Sequence, residues 1–135
     1  MTLGLVNASV VAVGRPLFAP ATLEVAPGAA MTAMGPNGAA KFSLLTWTCG
    51  TSDPGLRGMG QVLLAEADVT ELPAKRRRIG ILFQDNLLFP HLFMGGNLGF
   101  GLPPGPGWRA RIKAALSEAE LPDMADCDPA TLSDR

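Results

Sequence analysis

Between Gly35 and Ser43 the chain reads Gly-Pro-Asn-Gly-Ala-Ala-Lys-Phe-Ser, a spacing suited to holding phosphate. In a loop of pattern G-x-x-x-x-G-K-[ST], backbone N–H groups wrap anionic oxygens. The lysine reaches the outer phosphates, and the hydroxyl after it ligates Mg2+. The nucleotide-binding candidates are therefore Gly35, Pro36, Asn37, Gly38, Ala39, Ala40, Lys41, Phe42 and Ser43. Two of them depart from the pattern. Ala40 takes the place of the second glycine, and a Cβ there costs roughly 1–2 kcal/mol if the backbone is left-handed. Phe42 takes the place of the hydroxyl, and a benzyl group cannot ligate Mg2+. Ser43 comes one helical step later, turned by about 100°. No metal ligand is assigned, and Phe42 reads as an aromatic facing the core.

Gln84 is the other candidate. It closes the apolar run Ile79-Gly80-Ile81-Leu82-Phe83, at the carboxyl end of an expected strand, where open α/β sheets collect their ligands.

These residues need a scaffold, and the hydrophobic pattern outlines one. Leu3–Val13 reads as one or two strands closed by Gly14-Arg15-Pro16, and Thr22–Val25 alternates before the turn at Pro27-Gly28. The uniformly apolar Ala29–Met34 and Ile79–Phe83 predict central strands of a parallel sheet, buried on both faces. Lys41–Thr48 predicts a helix carrying Leu44, Leu45 and Trp47. Gly50–Gly60 reads as a polar loop, Gln61–Leu64 as a strand and Asp68–Pro73 as a turn. Leu87–Leu102 is apolar and glycine-rich, with Phe89, Leu92, Phe93 and Met94 as a candidate docking patch. After the break Pro103–Gly107, Trp108–Glu120 has a clear helical period, with Trp108, Ile112, Ala115, Leu116 and Ala119 on one face. Strand, glycine loop, helix and later strand together indicate an α/β architecture.

Composition excludes several classes of function. A chain of 135 residues suits one domain, and 17% charged residues is below the usual ~25%. With a net charge of −1, no overall field attracts nucleic acid, and none is expected as a partner. The basic run Lys75-Arg76-Arg77-Arg78 reads as a solvated turn before a strand. Cys49 and Cys127 are too few and too far apart for a metal cluster or disulfide framework. No apolar run reaches the ~18 residues of a membrane span, and no basic residue precedes Arg15 to make a secretory signal. A soluble intracellular chain is the expectation.

With the elements in order, the chain resembles the ATP-binding subunit of bacterial ABC transporters, importer type. Val25-Ala26-Pro27-Gly28, the following apolar run and Gly35-Pro36-Asn37-Gly38 are similar to that family's Walker A region. Arg76–Leu92, including Ile79-Gly80-Ile81-Leu82-Phe83-Gln84-Asp85-Asn86, is similar to its Q-loop block. Asn97-Leu98-Gly99-Phe100-Gly101-Leu102 matches the continuation into the helical subdomain. Thr131-Leu132-Ser133 reads as the start of the L-S-G-G-Q signature, but Asp134-Arg135 stand where glycines belong.

The resemblance implies an α/β fold, a P-loop NTPase-like ABC ATPase core, incomplete, with the beginning of the helical subdomain. On that footing residues 1–90 form the amino-terminal part of the core, and 91–135 start a helical subdomain truncated at the signature. ATP and Mg2+ are the implied cofactors, although position 42 does not supply the Mg2+ ligand. Gln84 is the implied catalytic residue, touching metal or attacking water and signalling to the membrane partner. Val10–Val13 offer no aromatic ring to stack on adenine. A transmembrane permease subunit and a second ATP-binding subunit (a homodimer or a pair) are the implied partners, and the implied location is the cytoplasm, peripheral at the inner face of the plasma membrane. Hydrolysis by the isolated chain is expected to be negligible. Two other functions stay open: a non-catalytic remnant that binds a permease, and a decayed reading frame without selected function.

Overall fold

The β-branched run at the amino terminus becomes the spine of a sheet. In a computed structural model describing residues 1–36, 40–85 and 87–131, β1 spans Leu3–Ala12 and buries Leu5, Ala8, Ser9 and Val10. β2 (Arg15–Pro16), β3 (Ala21–Val25) and β4 (Leu56–Leu64) all pair with β1, and β5 (Ala67–Asp68) pairs with β4. Every one of these pairings is antiparallel. The register of β1 shifts between Val6 and Ser9 against β4, where Asn7 has φ 47° and Gly60 opposite has φ +93°. A Cβ on Gly60 would fall 2.4 Å from the carbonyl oxygens of Val6 and Asn7. That close approach is the bulge's requirement for glycine.

Three expectations need correction here. Ala29–Met34 and Ile79–Phe83 are not strands: the first is exposed throughout, and the second alternates between half-buried and exposed. An apolar run becomes a strand only when neighbouring backbone bonds to it. Among the described residues neither run has a strand partner. The third concerns β4, which begins at Leu56, inside the segment read as loop. Gly58 and Gly60 suggested a turn, whereas Gly58 makes room for a ring: a Cβ there would lie 1.8 Å from Nε1 of Trp47.

Trp47 belongs to α1 (Lys41–Cys49), whose expected range holds within a residue. The helix ends at Gly50, φ 80°, whose N–H donates to the Trp47 carbonyl at 3.0 Å, while Thr51 N–H donates to the Thr46 carbonyl at 2.8 Å. This is a Schellman stop. Trp47 packs with Leu5, Ala8, Val10, Val62 and Val69 in the core.

The chain divides into two compact units, Met1–Leu82 and Phe83–Arg135. The second is built on α3 (Met94–Phe100) and α4 (Trp108–Glu118). Ile112 and Leu116 are buried on the expected face of α4, and the Trp108 indole donates to the Gly99 carbonyl at 3.4 Å. Asn97 organises the segment ahead of α3: its Oδ1 accepts from Phe89 N–H at 2.8 Å, and its Nδ2 donates to the Leu92 carbonyl at 2.9 Å. An open groove of about 670 Å³ runs between Leu92, Phe93, Trp108, Ile112 and Leu116.

Candidate functional site

The N-terminus of α1 brings the described loop residues together. Ala40 immediately precedes the helix at φ 56°, ψ 21°, the left-handed geometry, and its carbonyl accepts the first helical bond from Leu44 N–H at 3.0 Å. The Cβ of Ala40 therefore sits in the conformation that favours glycine, at a cost of about 1–2 kcal/mol. Lys41 reaches back to the residues before it, its ammonium donating to the carbonyls of Gly35 and Pro36, both at 2.8 Å. Asn37, Gly38 and Ala39 lie outside the described residues. Gly35 and Pro36 are exposed, and Ser43 is half-buried.

Phe42 corrects the expectation of a core-facing ring, for it is 54% exposed. Thr46, Trp47, Thr48 and Cys49 are all buried and Leu44 packs against the core, whereas Phe42 and Leu45, one turn apart, share the exposed face. Gln84 belongs to the second unit, where it is exposed in a bend after Phe83.

Arg77 is the residue that sequence reasoning missed. The basic run is solvated at Lys75, Arg76 and Arg78, as expected, but not at Arg77. Ala74–Arg77 forms α2, with Arg76 and Arg78 exposed and Arg77 only 6% exposed. The guanidinium donates through Nη1 to the Trp47 carbonyl at 2.7 Å and the Thr48 carbonyl at 3.0 Å, the last turn of α1. Nε donates to the Leu72 carbonyl at 2.7 Å, and Nη2 to the Thr70 carbonyl. Burial pushes the Arg77 pKa below the ordinary arginine value, and the negative charge of Glu71 works against that. The neighbouring Cys49 thiol donates to the Gly80 carbonyl at 3.7 Å. Burial raises the Cys49 pKa, while the positive charge of Arg77 lowers it by less. An arginine flanked by cations gives no signal of burial in its composition.

The residues present suit phosphate better than they suit a metal. A lysine at a helix N-terminus whose first turn carries no acidic side chain offers positive charge and helix dipole to an anion. Position 42 offers a ring where Mg2+ needs oxygen, so the metal does not fit there. Among the described residues no group of three or more His, Cys, Asp and Glu side chains could hold a metal ion. None of the described helices is long and apolar enough to cross a membrane.

The chain, with Lys41 opening a helix packed on an antiparallel sheet, has relatives of known family. The ABC transporter family matches residues 18–134, and the chain belongs to that family. It is 37% identical over 115 residues to the spermidine/putrescine import ATP-binding protein PotA of Frankia alni, covering 82% of this chain and 24% of that protein. It is 37% identical over 117 residues to the thiamine import ATP-binding protein ThiQ of a Jannaschia species, covering 84% and 50%. An uncharacterized ABC transporter ATP-binding protein of Escherichia coli, YnjD, is 38% identical over 109 residues, covering 78% and 50%. The chain thus spans about a quarter to a half of the length of these curated relatives.

Among solved structures, an ATP-binding cassette in a dimeric post-hydrolysis state bound to ADP and Pi superposes with a TM-score of 0.75 at 23% identity. The match covers 97% of this chain and 63% of that one. The fold is that of an ABC ATPase core, in part.

Proposed function

We propose that this chain is the phosphate-contacting portion of an importer-type ABC ATP-binding subunit, and that it holds nucleotide phosphates without hydrolysing them. The observation that carries the reading is Lys41 at the head of α1, its ammonium bonded to the Gly35 and Pro36 carbonyls. Phosphate oxygens are stronger acceptors than those carbonyls, because the bonds become charge-assisted at both ends. Lys41 would exchange one set for the other, and the amides opening α1 would add to it. ATP is the proposed ligand, with Gly35 to Ser43 as its contact segment. Gln84 is the proposed reporter to a transmembrane permease.

Phosphoryl transfer depends on neutralised charge and an oriented water. Phe42 removes one metal ligand, so Mg2+ should add little to binding. A second ATP-binding subunit and a place at the inner face of the plasma membrane belong to the same proposal. Cargo is not inherited from the relatives: PotA and ThiQ are named for spermidine/putrescine and for thiamine.

A titration with a fluorescent ATP analogue tests the reading. Saturable binding that is insensitive to Mg2+ and weakened at least about tenfold by Lys41→Ala is expected. No saturable binding, or Mg2+-dependent phosphate release abolished by Lys41→Ala, would overturn it. One observation favours a second reading, a non-catalytic permease-binding remnant: Leu87, Phe93 and Phe100 of the second unit are exposed. Co-purification with a permease by a chain that binds no nucleotide would select that reading.

A further inference from the structure

Lys41 opens the end of α1 that the core holds less firmly, through the partly buried Leu44. Only the last turn, Thr46–Cys49, is buried. A helix of nine residues is about 13 Å long, so its position at Lys41 depends on how firmly its far end is gripped. The core grips through Trp47 and Leu44, and apolar packing directs a helix less sharply than hydrogen bonds of fixed geometry. Arg77 supplies such bonds. Two of its donors hold the Trp47 and Thr48 carbonyls, and the others hold Leu72 and Thr70 on the segment after β5. Gly50 serves the same contact, since a Cβ there would lie 2.7 Å from the Arg77 Nε. A cation at a helix C-terminus also answers the dipole that favours an anion at its head.

We propose that Arg77 is a positioning residue for the phosphate loop: its fork locks the C-terminus of α1 to the Thr70–Leu72 segment and thereby fixes where Lys41 meets a nucleotide phosphate. The proposal rests on the nucleotide-binding reading above for its consequence, but not for the lock itself. A planar guanidinium reaches four carbonyls at fixed angles, which an ammonium cannot. Arg77→Lys therefore keeps the charge and loses the lock.

The experiment uses the full chain in a Trp108→Phe background, so that Trp47 emission alone reports on the first core. In Arg77→Lys, Trp47 emission and amide exchange in β1 and β4 should match the parent. Exchange at Leu44 and Leu45 should accelerate about tenfold, and the fluorescent ATP analogue should bind about tenfold more weakly. Methylguanidinium, but not methylammonium, should restore protection in Arg77→Ala. Unchanged exchange at Leu44 and Leu45 in Arg77→Lys overturns the proposal. Loss of fold in that variant also overturns it, because Arg77 would then serve stability alone. Should the parent bind no analogue, the nucleotide reading fails while the exchange result still decides the lock.

Discussion

The two ends of α1 are built on opposite terms. At the C-terminus four successive residues are buried, glycine occupies the left-handed stop, and a buried arginine satisfies the last carbonyls. At the N-terminus an alanine occupies a left-handed position, Phe42 and Leu45 are more than half exposed, and the one charged side chain bonds to its own loop. Local rules of backbone and packing are obeyed at one end and broken at the other. Departures of that kind gather where structure serves ligands rather than stability. Here they also fall on positions 40 and 42, where the phosphate pattern itself departs.

The contrast predicts unequal mutational costs. Trp47→Ala should destabilise the first unit by about 3–5 kcal/mol in a denaturant titration. Leu45→Ala, two residues away and 51% exposed, should stay within about 0.5 kcal/mol. Comparable losses at the two positions would abolish the distinction between the ends. Gly58→Ala comes next at about 1–3 kcal/mol, since its Cβ meets the ring of Trp47 and not a flexible tail. That cost should shrink in Trp47→Leu, and a thermal melt of the double variant checks it.

Relief of strain at the other end has the opposite sign. Ala40→Gly removes a left-handed Cβ penalty of about 1–2 kcal/mol and adds an unfolded-state entropy cost of about 0.5–1 kcal/mol. A net gain of roughly 0.5–1 kcal/mol should appear as a higher melting midpoint. A fall in the midpoint would mean that the alanine makes contacts that outweigh its backbone.

What the sequence disclosed follows the same division of physics. β1, β3, α1 and α4 were legible because local period and turn residues specify them, as Gly14 and Gly50 show. The first half of β4 was not, because Gly58 and Gly60 look like loop residues until Trp47 and the Val6–Asn7 carbonyls are seen against them. Ala29–Met34 and Ile79–Phe83 carried the composition of strands, but composition cannot supply a hydrogen-bonding neighbour. At the candidate site, the family motif singles out Lys41, Ala40 and Phe42. Phe42 is exposed because it shares a face with Leu45, one turn away, while Leu44 and Trp47 take the face toward the core. Arg77 was hidden by its neighbours: a charge run is usually solvated, and only the four carbonyls converging on one guanidinium reveal the exception.

The smallest expected effect probes the C-terminal end of α1 by titration. Burial raises the pKa of the Cys49 thiol above its ordinary value of 9.0, with Arg77 opposing more weakly. The folded state therefore holds that proton at pH values where the unfolded chain has released it. Any contribution from Cys49 is fully present below pH 9 and is lost as pH rises through the folded value. The chain has no tyrosine, which removes the usual competing group from this range. Melting midpoints measured from pH 7 to 10 should fall less steeply at the alkaline end in Cys49→Ala than in the parent. The same thiol should react with iodoacetamide more slowly than Cys127, which is only half-buried. If Cys49 reacts as fast as Cys127 in the folded chain, the C-terminal end of α1 opens readily, and the grip ascribed to Trp47 and Arg77 is too weak to shield it.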